Sequence, residues 1–197
     1  MKKRSPMLTG IMFLIVVGLA FTASPVFDRL FAPWAFERNG QPALTGHWTG
    51  QLTTATGQTY GVLLDLLLPE PKGRRGLARD WENAPYGELG GTARLCDENG
   101  QRRLYTIDGE PEDRQATHIV FYAGPSETPA PNGLTISWVK GIWDGHDNLT
   151  LTSQLYWEQD GSAITGPDYP DTQAEATLPM TRGDDEAFEA ICAQVKN

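Results

Sequence analysis

Short runs of alternating apolar and polar residues dominate the chain from Gly46 onward, and turn-forming residues separate them. Alternation with a period of two is typical of a β-strand that buries one face, whereas a helix repeats every 3.6 residues. No helical period occurs before the carboxy-terminal segment. The pattern predicts an all-β domain with about eight strands: His47–Thr54, Thr59–Leu68, Tyr86–Cys96, Arg102–Asp108, Ala116–Tyr122, Leu134–Trp143, Leu149–Trp157 and Glu175–Thr181.

The connections between several of these runs are short and chemically suited to tight turns. Four of them carry glycine where a reversal needs a positive φ angle: Thr56-Gly57, Asn99-Gly100, Asp144-Gly145 and Asp160-Gly161. Short connections force neighbouring strands to run antiparallel, because a parallel crossover needs roughly a dozen residues. We therefore expect an antiparallel up-and-down barrel, in which closure removes exposed strand edges. An open sandwich of two sheets is the alternative architecture.

One short soluble helix is predicted at the carboxy terminus, from Asp184 to Lys196. Acidic residues at its start complement the positive end of the helix dipole. Its apolar residues fall on one face, and these are Phe188, Ile191, Cys192 and Val195. The second predicted strand is apolar on both faces, so it needs cover on both. This helix is the candidate for covering the outer face.

The amino-terminal residues predict the compartment. A basic cap at residues 1–4 precedes residues 5–27, a stretch of 23 residues without a charged side chain. As a helix this stretch is about 34 Å long, enough to cross a hydrocarbon core of about 30 Å. We interpret it as a single transmembrane helix in the cytoplasmic membrane, with the basic cap in the cytoplasm. The domain at residues 46–197 then lies in the periplasm or outside the cell.

Two further interpretations concern this region. Residues 28–45 contain two prolines, Pro33 and Pro42, and little periodicity, so we interpret them as a linker between anchor and barrel. The aromatic residues Phe31, Trp34 and Phe36 in this linker are of the kind that settles at a membrane–water interface. A signal peptide cleaved after Ala20 is the alternative to the anchor, since small residues occur there.

Charge and cysteine content restrict the partners and the redox state. Residues 24–197 carry 13 Lys and Arg against 25 Asp and Glu, a net charge of −12, so nucleic acid is not an expected partner. Cys96 and Cys192 are the two cysteines, and an even count in an oxidising compartment indicates a disulfide. Closing a loop of about 96 residues is worth roughly 4 to 5 kcal/mol in the chain-entropy model. Two buried free thiols are the alternative.

Two short motifs resemble those of the lipocalin family. Gly46-His47-Trp48 opens the first strand like that family's Gly-x-Trp motif, and Thr181-Arg182 is similar to the arginine motif after its last strand. The resemblance implies a calycin-type barrel in which Arg182 stacks over Trp48 and closes one end. It also implies a disulfide between the carboxy-terminal segment and a strand. The family's Thr-Asp-Tyr motif is not properly present, since Pro167-Asp168-Tyr169 lies too near the last strand. Gly-x-Trp also suits avidin-like barrels.

No catalytic residue, cofactor or metal site is predicted. The histidines are His47, His118 and His146, and their spacing does not require a shared metal ion or an acid–base pair. The turn around His146 lacks the alternating carboxylates and the final glutamate of a calcium loop. No Gly-x-Ser-x-Gly nucleophile motif occurs. An enzyme would need one of these histidines beside a carboxylate in a cleft, so we expect a non-catalytic protein.

Two non-catalytic functions remain. The first is an accessory or interaction subunit of the cell envelope, which contacts the inner membrane through residues 5–27 and another envelope protein through an exposed apolar patch. The second is a lipocalin-like module for a small apolar ligand, with Tyr122, Trp138 and Trp157 as aromatic residues of the lumen. A carrier needs an apolar cavity of about 300 Å³ or more inside the barrel. A packed interior favours the interaction subunit.

Overall fold

The computed structural model describes residues 28–38, 40–70, 85–126, 133–159, 162–166, 168, 172 and 175–196. The predicted anchor at residues 5–27 and most of the Pro167-Asp168-Tyr169 stretch lie outside the described residues. Within these ranges no helix is both long and apolar enough to span a membrane.

Within the described residues, nine antiparallel strands form one sheet, and eight of them close into a barrel. The strands are β1 (Gly46–Thr53), β2 (Thr59–Leu67), β3 (Leu89–Cys96), β4 (Arg102–Pro111), β5 (His118–Pro125), β6 (Gly133–Trp143), β7 (Asn148–Gln159), β8 (Ser162–Ile164) and β9 (Glu175–Arg182). Consecutive strands pair from β1 to β7, β7 pairs with β9, and β9 returns to β1. The short β8 pairs with the end of β7. The closure confirms the predicted barrel and excludes the open sandwich.

A continuous apolar core fills the interior of the barrel. Alternate residues of each strand point inward, as Val62, Leu64 and Leu66 do on β2. The largest buried side chains of this core include Trp48, Tyr105 and Phe121. Because these side chains come from strands around the barrel and belong to one cluster, the described interior residues pack against one another.

The predicted hairpin turns have the expected backbone. Gly57, Gly100 and Gly145 have φ angles of +88°, +76° and +82°, a region that residues with a Cβ rarely adopt. They lie in the turns after β1, β3 and β6, respectively. The fourth predicted turn, at residues 160–161, lies outside the described residues.

The carboxy-terminal helix, α1 (Asp185–Val195), packs against the outside of the barrel. Asp184 caps it by accepting a hydrogen bond from the backbone N–H of Ala187. Phe188 and Cys192 are buried in a second apolar cluster with Leu63 of β2 and Cys96 of β3. This contact confirms that the helix covers the outer face of the second strand, which explains why β2 is apolar on both sides.

The two cysteines form the predicted cross-link. The Cα atoms of Cys96 and Cys192 are 5.9 Å apart, and the two sulfur atoms are bonded. The bond therefore attaches α1 to the third strand.

The segment predicted as a linker instead packs across one end of the barrel. We call residues 28–38 and 40–45 the plug segment; it includes a 3-10 turn at Pro33–Ala35. Ala32, Trp34 and Leu44 are buried and belong to the barrel core. The indole Nε1 of Trp34 donates to the carbonyl of Tyr86 at 2.7 Å, and Leu44 N donates to Trp34 O. Buried apolar side chains with satisfied backbone groups make this segment part of the fold. We call the end of the barrel that it covers the plugged end.

Candidate interaction surface

Arg182 joins the plug segment to the barrel. Its guanidinium carbon lies 3.8 Å from the ring centroid of Trp48, so the cation stacks on the indole face. Its Nη1 donates to Thr45 O at 2.9 Å, and its Nη2 donates to Ala43 O. The Trp48 Nε1 in turn donates to Leu44 O at 2.8 Å. This is the end-closing arrangement that the lipocalin resemblance implies for Trp48 and Arg182.

Burial determines the electrostatics of Arg182. Removal from water lowers the pKa of its guanidinium, because the charged form loses hydration, while the carboxylates of Asp147 and Glu37 act in the opposite direction. An arginine remains charged at any physiological pH even so. Its role here is therefore the positioning of the plug segment.

The outer face of β5 and β6 carries a strip of apolar and aromatic side chains. We define the β5–β6 strip by three cross-strand pairs: Tyr122 with Trp138, Val120 with Lys140, and His118 with Ile142. Trp138 is 58% exposed, Ile142 is 57% exposed and Tyr122 is 43% exposed. Side chains that oppose each other on one face of an antiparallel pair are in contact range. The strip is therefore a continuous exposed surface.

Polar residues border the β5–β6 strip on both sides. On β4, Asp108 pairs with Tyr122, and Glu110 pairs with Val120. On β7, Thr150 pairs with Ile142, and Thr152 pairs with Lys140. An apolar centre with a polar rim is the usual composition of a protein–protein interface.

The predicted positions of two lumen aromatics are wrong. A register shift between Ile136 and Val139 reverses the alternation along β6, so both of those residues point inward. Trp138 consequently points outward, together with Lys140 and Ile142.

On β5 the inward set is Ile119, Phe121 and Ala123, which places Tyr122 on the outer face. Trp157, the third predicted lumen aromatic, is half-buried and packs against the interior core. Of the three, it alone borders the lumen.

Two histidines lie near carboxylates, on the outer surface. His47 Nε2 is 3.4 Å from an oxygen of Asp65, and these two residues pair across β1 and β2. His118 Nδ1 is 3.5 Å from an oxygen of Asp113. All four side chains are at least one-third exposed. Among the described residues, no three His, Cys, Asp or Glu side chains are placed to hold a metal ion.

Asp113 organises the loop between β4 and β5. Its carboxylate accepts hydrogen bonds from the backbone N–H groups of Gln115, Thr117 and His118 at 2.9, 3.2 and 2.9 Å. Partial burial raises the pKa of the Asp113 carboxyl, but these hydrogen bonds outweigh the burial, and the pKa is lower than its ordinary value. The carboxylate therefore has a structural task in this loop.

Comparison with known proteins gives no family. No protein-family model matches this chain, and no curated protein matches it. Among solved structures, the chain is similar to a fluorescence-activating β-barrel protein, EF1p2_mFAP2b bound to DFHBI. The identity is 13%, the match covers 71% of this chain and 94% of that chain, and the TM-score is 0.44. We therefore infer function from the geometry of this chain alone.

Proposed function

We propose that this chain is a non-catalytic interaction subunit of the cell envelope. Residues 5–27 anchor it in the inner membrane, and the barrel at residues 46–197 works on the periplasmic or extracellular side. The β5–β6 strip contacts a protein partner. The observation that carries the proposal is the exposure of Tyr122, Trp138 and Ile142 above a packed interior.

The physical argument starts from the cost of exposed apolar surface. A contiguous exposed apolar patch of more than a few hundred Å² is rare on a monomeric soluble protein and often marks an interaction site. Tryptophan and tyrosine are also the residues that contribute most often to binding hot spots. Trp138 and Tyr122 face each other across two strands, so both can enter one interface. The acidic rim residues Asp108 and Glu110 favour a partner with complementary basic groups beside its apolar surface.

We further propose that the barrel is lipocalin-like. Support comes from the stacking of Arg182 on Trp48 and from the cross-link between Cys96 and Cys192. A module that holds a small apolar ligand is the alternative function, and it needs a cavity of about 300 Å³ or more in the lumen. The described interior residues instead form one packed cluster. We therefore rank the interaction subunit above the carrier.

The test is partner capture by the full chain from its own membranes in mild detergent. Replacing both Tyr122 and Trp138 by serine removes the centre of the strip. Truncation of hot-spot residues costs about 2 kcal/mol or more, which corresponds to roughly a 30-fold loss of affinity. Leu104→Ser is the matched control, because Leu104 is 42% exposed and lies on β4, outside the strip.

We expect a defined partner to copurify with the wild-type chain and with Leu104→Ser, and to be lost from the double variant. Equal capture by all three proteins would contradict the assignment of the strip. A monodisperse wild-type monomer without a partner would contradict the interaction function itself.

A further inference from the structure

A groove of about 810 Å³ lies at the plugged end, between the plug segment and the loops that follow β4 and β6. Its lining includes three large apolar side chains, Trp34, Ile142 and Trp143. Arg38 and Arg114 contribute two guanidinium groups, and Asp144 contributes a carboxylate. The groove therefore combines apolar surface with charges of both signs.

The charged groups of the groove are held in defined states. The Asp144 carboxylate accepts hydrogen bonds from the Asn148 side chain at 2.6 Å and from the backbone N–H of His146 at 2.7 Å. The hydrogen bond from the Asn148 side chain is the main cause that lowers the pKa of Asp144. Arg114 donates one N–H to Leu30 O at 3.0 Å, which leaves further donors on the same guanidinium.

The contact between Arg114 and Leu30 places the groove relative to the proposed anchor. Leu30 is the third residue after the uncharged stretch that ends at Phe27. Three residues span at most about 11 Å, since consecutive Cα atoms are about 3.8 Å apart. The polar layer of a bilayer is roughly 5 to 8 Å thick on each side of the hydrocarbon core. If residues 5–27 span the membrane, Arg114 lies at or just beyond the level of the lipid headgroups.

The charged side chains of the groove favour one class of lipid. A guanidinium binds phosphate through parallel N–H groups, and an ionised carboxylate attracts an ammonium group. The chain has a net charge of −9, which disfavours the approach of an anionic headgroup. A zwitterionic headgroup carries a phosphate for Arg38 and Arg114 and an ammonium for Asp144. Its glycerol and upper acyl carbons match the apolar lining.

We propose that this groove binds the headgroup of a zwitterionic phospholipid from the membrane that holds the anchor. The contact orients the barrel with its plugged end toward the bilayer. It depends on the membrane tether of the proposed function. It shares Ile142 with the β5–β6 strip but does not involve Tyr122 and Trp138, the centre of the proposed protein contact.

The experiment measures lipid binding to the full chain in detergent by native mass spectrometry. The probes are dioleoylphosphatidylethanolamine, dioleoylphosphatidylglycerol and soluble O-phosphoethanolamine. Arg38→Gln removes one guanidinium from the groove without touching the hydrogen bond between Arg114 and Leu30. Arg114→Gln removes the other guanidinium. Lys140→Gln is the control, because it removes a cation from the outer face of β6.

We expect the phosphatidylethanolamine to bind more tightly than the phosphatidylglycerol. We also expect Arg38→Gln and Arg114→Gln each to weaken its binding about tenfold, the effect of one lost charged hydrogen bond. Lys140→Gln should bind like the wild type.

Three results would each overturn the proposal: equal affinity for both lipids, unchanged binding by Arg38→Gln, or competition by O-phosphoethanolamine as strong as that by the lipid. The last result would assign the groove to a soluble ligand. Replacing Tyr122 and Trp138 by serine should leave lipid binding unchanged, because neither residue lines the groove, so failure of partner capture and failure of lipid binding are separate outcomes.

Discussion

At the scale of single residues, Arg182 connects the plug segment to the barrel. One guanidinium stacks on Trp48 and donates to the carbonyls of Ala43 and Thr45. Lysine has the same charge but lacks the planar fork that makes two directed hydrogen bonds and a stacking contact. The geometry of the group, more than its charge, therefore holds the plug segment.

Arg182→Lys should lower the free energy of unfolding by about 1 to 3 kcal/mol. Urea unfolding of the full chain in detergent measures this loss, and hydrogen exchange at residues 43–45 should become faster. Arg38→Lys, at an exposed arginine of the plug segment, is the control and should change little. Unchanged exchange at residues 43–45 in Arg182→Lys would show that the plug segment does not depend on the guanidinium.

Asp113 makes stability depend on pH. Its folded-state pKa is depressed, so its contribution is fully present above the unfolded pKa of about 3.9 and is lost as pH falls through the folded value. We expect Asp113→Asn to cost about 1 kcal/mol at pH 7, because the three backbone donors lose a charged acceptor.

The checking measurement is the urea midpoint of both proteins at pH 7 and pH 3. The difference between wild type and Asp113→Asn should shrink at pH 3, because the contribution of a carboxyl whose folded-state pKa is lowered declines once the pH is below the unfolded pKa of about 3.9. Asp108→Asn changes an exposed carboxylate on β4 and serves as the control. A difference that is the same at both pH values would argue against a role for the charge of Asp113.

Some of the important side chains can be identified from the sequence, and others cannot. Trp48 and Arg182 are identifiable because each belongs to a short motif at a strand end. The orientation of Trp138 cannot be identified in this way, because Trp138 lies within the register shift between Ile136 and Val139, and alternation cannot locate an inserted residue.

At the scale of elements, helix α1 is attached to the barrel by apolar, ionic and covalent contacts. Phe188 and Cys192 pack on Leu63. Arg102 makes two hydrogen bonds to the Glu189 carboxylate, at 2.6 and 2.5 Å. Arg94 pairs with Asp185. The ion pairs are exposed and contribute little alone, so the disulfide and the apolar cluster are the main attachments.

Replacing Cys96 and Cys192 by serine should lower the free energy of unfolding by about 4 to 5 kcal/mol in the chain-entropy model, since the bond closes a long loop. Urea unfolding with and without reductant measures this. Reductant should lower the stability of the wild type by a similar amount and leave the double variant unchanged. A loss below about 1 kcal/mol would mean that the unfolded state is restricted by other contacts.

The elements differ in how well the sequence predicts them. Helix α1 is predicted correctly because its cap, its acidic first turn and its apolar face agree with one another. The plug segment is not predicted correctly, because its prolines and weak periodicity give no sign of burial. Trp34, for example, is buried through contacts with Tyr86 and Gly87, which lie far along the chain. Long-range burial of an irregular segment leaves no local pattern.

At the scale of the whole molecule, strand count and antiparallel order favour the barrel, because a meander of this length can close on itself, but they leave an open sandwich as an alternative that only the pairing of β9 with β1 excludes. Whether the lumen is hollow is not predictable in the same way. It depends on the sum of side-chain volumes such as those of Trp48, Tyr105 and Phe121, which the alternation pattern does not measure.

The proposed topology makes one prediction for the mature protein. We expect the mature chain to keep residues 1–20 and to leave the membrane fraction only with detergent. Protease added from the outside of spheroplasts should reach the barrel and spare residues 1–4. Mass spectrometry and fractionation test both points. A soluble product that begins at Phe21 would show that residues 1–20 are a cleaved signal peptide and would contradict the anchor.

The pairing between β1 and β9 affects the order in which the barrel folds. It joins residues 46–53 to residues 175–182, and the hydrogen bond from Arg182 to Thr45 closes a separation of 137 positions. β1 can pair with β2 early, but its second neighbour, β9, is absent until residues 175–182 have been made. Closure of the barrel therefore has to follow synthesis of β9, and its rate should be set by the search for that distant partner.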